Sequence, residues 1–135
     1  MNDCLFCKII SKEQAAQVIY EDDAVVAVLD IFPRAIGHAV VIPKRHAETI
    51  LELDSKEIGP VFDGVRKITQ ILKDKLHPDG FTIGINHGKV SGQAIDHLHI
   101  HIIPRFLGDQ GGSIHTVVNN PPKKSLEEIA KKIVS

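Results

Sequence analysis

The chain has 135 residues, of which 43% are hydrophobic and 24% charged, a composition that frames a single soluble domain spanning 1–135 with one compact core. Its 16 basic and 17 acidic residues leave a formal net charge of -1, so it lacks the basic footprint that polynucleotide binding requires. No segment approaches the ~18 consecutive apolar residues of a membrane span, and the opening "MNDCLFCKII" has neither the basic flank nor the long apolar run of a targeting leader, so a cytoplasmic protein is expected.

The two cysteines, Cys4 and Cys7, stand as C-x-x-C. In a reducing compartment that spacing favours metal binding or redox chemistry over a structural disulfide. "AVVAVLD" (24–30) and "HAVVIP" (38–43) are β-branched runs separated by a connection containing Pro33 and Gly37, and they read as neighbouring antiparallel strands. Ile58, Val61, Phe62, Val65, Ile68, Ile71, Leu72 and Leu76 then recur at three- and four-residue intervals. That is the pattern of one apolar helical face, with Lys56, Asp63, Arg66, Lys67 and Lys73 turned to solvent. Asp54 and Glu57 form a capping pair, while Gly59-Pro60 is expected to kink the helix or delay its start. "HPDG" (77–80) stops the helix, "FTIGIN" (81–86) alternates as a strand, and "HGKVSG" (87–92) is a flexible connection. Beyond Arg105 the chain is rich in Gly, Asn and Pro until "SLEEIAKKIV", a short terminal helix capped by Ser125.

Between these elements lies "DHLHIHIIPR" (96–105). Read as a strand, its alternation places His97, His99 and His101 on one face and Leu98, Ile100 and Ile102 on the other. At ~3.3 Å per residue the outer two imidazoles start ~13 Å apart, too far to share one metal ion with the third, so the three need separate tasks. Three in register on an apolar background point to a site, because a buried imidazole without a partner is costly.

The stretch "GQAIDHLHIHII" (92–103) resembles the histidine triad (HIT) motif, His-φ-His-φ-His-φ-φ with φ apolar. The resemblance extends through "CLFCKII" (4–10), "LDIFPRAIGHAVVIPKRH" (29–46) and "GINHG" (84–88), and is to small bacterial proteins of the branch that includes the nucleoside phosphoramidases. It implies an α+β fold with a five-stranded antiparallel sheet, one long amphipathic helix and short terminal helices, usually in a homodimer whose C-terminal segment could reach the neighbouring site. The activity implied is hydrolysis or transfer at the α-phosphorus of purine nucleoside phosphoramidates or related nucleotides, releasing nucleoside monophosphate.

By motif position, His99 is the nucleophile. A neutral imidazole held in one tautomer attacks phosphorus well near pH 7, and a nucleotidyl-histidine intermediate divides one hard displacement into two easier ones. His101 and His38 line the phosphate, with Asn86 and Gln93 near the phosphate or leaving group. Asp30 accepts the ribose hydroxyls, and Phe6, Ile9 and Ile31 match the base-binding positions. Zinc with the ligand set Cys4, Cys7, His46 and His97 is implied by several relatives and takes precedence over redox use of C-x-x-C. One departure stands out: Ala94 occupies the position where phosphoramidases of the family usually carry Ser. It leaves room for a nucleoside polyphosphate leaving group, as in a dinucleoside polyphosphate hydrolase, and favours mildly a nucleotide-binding adaptor with little turnover. A metal-storage surface built from the eight histidines is a third reading, and His77, His87 and His115 receive no role.

Overall fold

The two β-branched runs do pair as neighbours, and the sheet grows outward from them. The computed structural model describes residues 3–135. It contains the strands β1 (Val18–Glu21), β2 (Val25–Leu29), β3 (Ala39–Pro43), β4 (Gly80–Gly84) and β5 (Ile100–Arg105), with helices α1 (Leu5–Ile10), α2 (Ser55–Leu76) and α3 (Leu126–Val134). The five strands form one antiparallel sheet in the order β1-β2-β3-β5-β4. This is the α+β architecture expected from the resemblance.

Alternation divides the sheet into two apolar faces. Val25 and Ala27 of β2, Ala39 and Val41 of β3, and Ile100 and Ile102 of β5 bury against Val61, Val65, Ile68 and Leu72 of α2. Val26 and Val28 of β2 with Val40 and Ile42 of β3 face the other way and are covered by Phe6 of α1. The positions that continue this second face past the strand ends are Asp30 after β2 and His38 before β3. In β5 the residue opposite Val40 is His101. The sheet therefore carries its polar chemistry on the face that the long helix leaves uncovered.

Helix α2 starts at Ser55 behind a complete capping box, in which Asp54 accepts from the helix backbone and the Glu57 carboxylate accepts from the Asp54 N–H at 2.9 Å. Pro60 does not delay that start; it lies inside the helix. The cap satisfies the first-turn donors locally, so the proline removes a single backbone hydrogen bond one turn further on. Ile58 and Phe62, expected on the buried face, are exposed, because the sheet contacts only the narrower stripe through Val61, Val65, Ile68 and Leu72. His77 ends the helix in a left-handed conformation, φ 53°.

The histidine segment departs most from its expected form, since the strand begins at Ile100 and His97 to His99 precede it. The β3–β5 ladder stops at Val41↔Ile100. Pro43, at the end of β3, has no N–H to offer, and its carbonyl accepts instead from the His97 imidazole at 2.8 Å. The Leu98 N–H turns to the Ala47 carbonyl at 2.7 Å. Past β5, Arg105 fixes the exit of the chain by bonding Asp109, Thr82 Oγ1 and the Gly112 carbonyl. Among the described residues no helix is long and apolar enough to cross a membrane.

At Gly64 helix α2 lies close against the sheet: a Cβ there would lie 2.8 Å from Val25 Cγ2. Gly64→Leu is therefore expected to destabilise the fold by about 1–3 kcal/mol through overpacking, read as a lowered urea midpoint with an unchanged m-value.

Candidate active site

Two clusters of side chains converge on the sheet face left free by α2. The first joins the N-terminal helix to the segment before β5. Cys4 Sγ lies 3.4 Å from His97 Nδ1, Cys7 Sγ lies 3.3 Å from His46 Nδ1 and 3.6 Å from His97 Nδ1, and the two Nδ1 atoms are 3.1 Å apart. Donor atoms sharing one tetrahedral zinc, at ~2.3 Å to sulfur and ~2.0–2.1 Å to nitrogen, are separated by roughly 3.3–3.8 Å. The four residues therefore already stand close to a tetrahedral ligand shell, with all four donor atoms within 4.8 Å of one another.

The tautomer of His97 agrees with that use. Its Nε2–H donates to the Pro43 carbonyl at 2.8 Å, which leaves the Nδ1 lone pair facing the thiols, the second-sphere arrangement that orients metal-binding imidazoles. Burial pushes His97 down to about 4, so the ring is neutral near pH 7. Burial, and then the hydrogen bond to Cys4, push the Cys7 thiol up, so a bound cation would have to displace its proton. These residues can hold a metal ion of zinc's coordination preference.

The second cluster is Asp30, His38 and His101. The Arg34 backbone N–H donates to His38 Nδ1 at 3.1 Å, which puts the proton of the neutral ring on Nε2. That Nε2–H points at His101 Nδ1, 3.0 Å away, so His101 in turn carries its proton on Nε2. Asp30 Oδ2 lies 3.5 Å from His38 Nε2 and 3.8 Å from His101 Nδ1. The donor set superficially suits a cation, but His38 could ligate through Nε2 only by moving its proton to Nδ1, against the Arg34 N–H. The hydrogen bonds thus define a directed pair of imidazoles rather than a second metal shell.

His99 stands between the clusters. Its Nδ1–H donates to the His97 carbonyl at 2.8 Å, so the neutral ring has its lone pair on Nε2. The ring packs edge-on against Phe6, with centroids 4.9 Å apart, and against His101 at 5.0 Å. Desolvation by burial lowers His38, and pushes His101 down to about 4 with help from the neighbouring His99 and His38; Asp30 opposes both shifts.

The remaining residues singled out in the sequence are distributed unevenly. Ile31 is 77% exposed beside Asp30, open to a ligand. Ile9 is half-buried against the second core, and Phe6 is buried within it, so Phe6 packs against the histidines instead of offering a free face. Asn86 follows β4 and is exposed, beside Gly92. Gln93 is buried with its amide committed: Nε2 donates to the Glu48 and Ile95 carbonyls, and Oε1 accepts from the Gly88 N–H. Sequence reasoning missed three contributors, the Arg34 N–H, the Pro43 carbonyl and the Gln93 clamp. The first two are backbone groups that no residue type advertises, although a proline at the end of a strand does signal a broken ladder.

The sheet thus presents His99 with an unengaged Nε2, the directed His38–His101 pair and a Cys/His cluster on one face. Residues 11–108 match the HIT domain model, and the chain belongs to the HIT family. It is 49% identical over 106 residues to an uncharacterized HIT-like protein of Methanocaldococcus jannaschii, covering 78% of this chain and 81% of that one. It is 35% identical over 134 residues to the adenosine 5′-monophosphoramidase of Schizosaccharomyces pombe, covering 96% and 98% respectively. Among solved structures it resembles a Zn-bound histidine triad family protein from Mycobacterium smegmatis, with TM-score 0.76, 35% identity, and coverage of 81% of this chain and 79% of that one.

Because His101 is held neutral by burial, its folded form binds a proton less readily than its unfolded form. Its contribution to stability is therefore complete above ~6.5, the ordinary histidine value, and lost as the pH falls toward about 4. Between pH 7 and 4 the wild type should lose roughly 2–3 kcal/mol more than His101→Gln, measured as the difference between their denaturant midpoints across that range.

Proposed function

We propose that this protein is a hydrolase or nucleotidyl transferase acting at the α-phosphorus of purine nucleoside phosphoramidates or related nucleotides, through a nucleotidyl-histidine intermediate on His99. The single observation that carries the reading is the hydrogen bond from His99 Nδ1 to the His97 carbonyl. It leaves a lone pair on Nε2, on the same face as the His38–His101 pair. The kinship with a phosphoramidase supports the choice of leaving group.

In the first step His99 Nε2 forms a bond to the α-phosphorus and the bond to the leaving group breaks. The departing amine takes a proton from Nε2 of protonated His101, which returns to the neutral state with its remaining proton on Nδ1, facing Asp30 Oδ2. In the second step water attacks the phosphorus, the phosphorus–Nε2 bond breaks and returns its electron pair to His99, and the water proton passes to His101 Nε2, the nitrogen that gave up its proton in the first step. The products are nucleoside monophosphate and the leaving group. A bound phosphate anion raises the proton affinity of the pair that burial had lowered, which allows one dyad to serve as acid and then as base. His38 hands its Nε2–H to His101 and so fixes the orientation of that ring.

Around this centre, Asp30 takes the ribose hydroxyls and Ile31, with Ile9 behind it, the base. Phe6 acts by packing against the His99 ring, and Asn86 reaches the phosphate or leaving group. Gln93 holds the loop from Gly88 to Ile95 in place rather than touching the leaving group, since its amide is already used. Ala94 offers no hydroxyl to a departing amine, which favours polyphosphate leaving groups as a second class of substrate. Zinc on Cys4, Cys7, His46 and His97 would tether α1 to the catalytic segment and would serve structure, since all four ligand positions come from the protein. A homodimer is supported by the C-terminal arm, where Leu126, Ile133 and Val134 on α3 are exposed.

Intact mass after quenching within seconds, with adenosine 5′-phosphoramidate as substrate, should reveal a transient adenylyl adduct on the wild type and none on His99→Ala, whose turnover should fall at least about a thousandfold. Nucleotide binding with neither adduct nor AMP release would replace the enzyme reading by that of a nucleotide-binding adaptor. Metal analysis of the purified protein should find about one zinc per chain. Cys7→Ser should lose the metal and unfold at lower temperature, whereas stoichiometries well above one would point to a histidine storage surface.

A further inference from the structure

The carboxylate of Asp30 has two oxygens in different settings. Oδ1 accepts from the Phe32 N–H at 2.8 Å, an Asx-type bond that fixes the side chain at the end of β2. Oδ2 is thereby turned toward the imidazole pair, 3.5 Å from His38 Nε2 and 3.8 Å from His101 Nδ1. The ribose clamp implied for Asp30 would need only an acceptor at the strand end, and does not account for an oxygen aimed between two imidazoles.

We propose that Asp30 is the counter-charge of the His38–His101 pair, so that one carboxylate both receives the ribose and stabilises the proton that the pair takes up during turnover. The proposal rests on the reading of the pair as the proton-transferring group. The charged and titratable groups facing the pair are few. Asp30 comes from the end of β2, Arg34 from the β2–β3 connection and His99 from the segment ahead of β5; Val40 and Gly84, which flank His101 in the ladder, are uncharged. Arg34 and His99 oppose a positive charge on the pair, and Asp30 alone favours it. An opposite charge at this range moves a pKa by about 1–3 units.

The consequence is a coupling between recognition and chemistry. A ligand whose sugar hydroxyls hold Asp30 in position keeps the anion beside the pair at the moment the proton is needed. A positioning role of this kind is separable from ribose binding, because removing the hydroxyls and removing the charge are different changes.

Asp30→Asn keeps the Oδ1 acceptor for the Phe32 N–H and removes only the charge. Turnover of wild type and Asp30→Asn is compared on an adenosine 5′-phosphoramidate and its 2′,3′-dideoxy analogue. If Asp30 served the ribose alone, the substitution would leave kcat on the dideoxy substrate unchanged, and that result overturns the proposal. The expected result is a further loss of about tenfold or more in kcat on the dideoxy substrate, the effect of a one-unit shift in the pair. A second measurement needs no turnover: imidazole 15N resonances of the full-length, metal-loaded protein, followed downward from pH 7 to the onset of unfolding. His101 should begin to protonate at a pH about one unit higher in wild type than in Asp30→Asn, and superposable curves overturn the proposal. Absence of turnover by the wild type would sink the proposed activity, while the resonances would still decide the role of Asp30.

Discussion

His97 is the joint on which the rest of the site depends, because three of its atoms are engaged in three directions. Its Nε2–H closes on the Pro43 carbonyl, its Nδ1 faces Cys4, Cys7 and His46, and its own carbonyl accepts the Nδ1–H of His99. The first bond ends the β3–β5 ladder, the second collects the Cys/His cluster, and the third sets the tautomer of His99. A fully buried imidazole is normally a cost that must be offset by partners. Here each of its polar atoms has one, and each partner belongs to a different part of the chain.

The two faces of the sheet are specialised by the same logic. The fully buried centre of the face under α2 is aliphatic, with Tyr20 and Phe81 packed at its margin, and it gives the hydrophobic burial that holds the fold together. The opposite face keeps enough apolar cover, through Phe6 and the valines of β2 and β3, to exclude water from the imidazoles without engaging all of their nitrogens. Desolvation holds His38 and His101 neutral, while Asp30 at their side limits how far it does so. A fully aliphatic environment would leave rings too weakly basic to accept a proton, and an open one would leave them hydrated and mobile.

Much of this was legible in the sequence, and the reason is that the relevant signals are local. Strands β2 and β3, the long helix with its Asp54–Glu57 cap and the terminal helix behind Ser125 announce themselves through alternation, helical spacing and capping residues. The C-x-x-C pair and the spacing of the histidines likewise lie in short stretches. What escaped was decided at long range. The loss of ladder at His97 depends on Pro43, 54 positions away, and the exposure of Ile58 and Phe62 depends on how wide a strip of α2 the sheet can cover. Strand β1, four residues long, is too short to show a period, and it is defined by its pairing with β2. The Gln93 clamp ties together the Glu48 carbonyl, the Gly88 N–H and the Ile95 carbonyl, which no spacing in the sequence relates.

Directionality separates the imidazole pair from a mere cluster of histidines, and it originates in a backbone group. The Arg34 N–H fixes His38, His38 fixes His101, and the last N–H in the series is His101 Nε2, directed away from the pair. Reversing either tautomer would set two donors or two acceptors against each other, so the order is held by hydrogen-bond complementarity. That arrangement explains why His38 lies where β3 begins rather than on the histidine segment itself. The β2–β3 connection supplies the N–H that starts the series at Arg34 and ends β2 with the Asp30 carboxylate that faces it. One short turn thereby delivers both the N–H that orients the imidazole pair and the carboxylate that faces it.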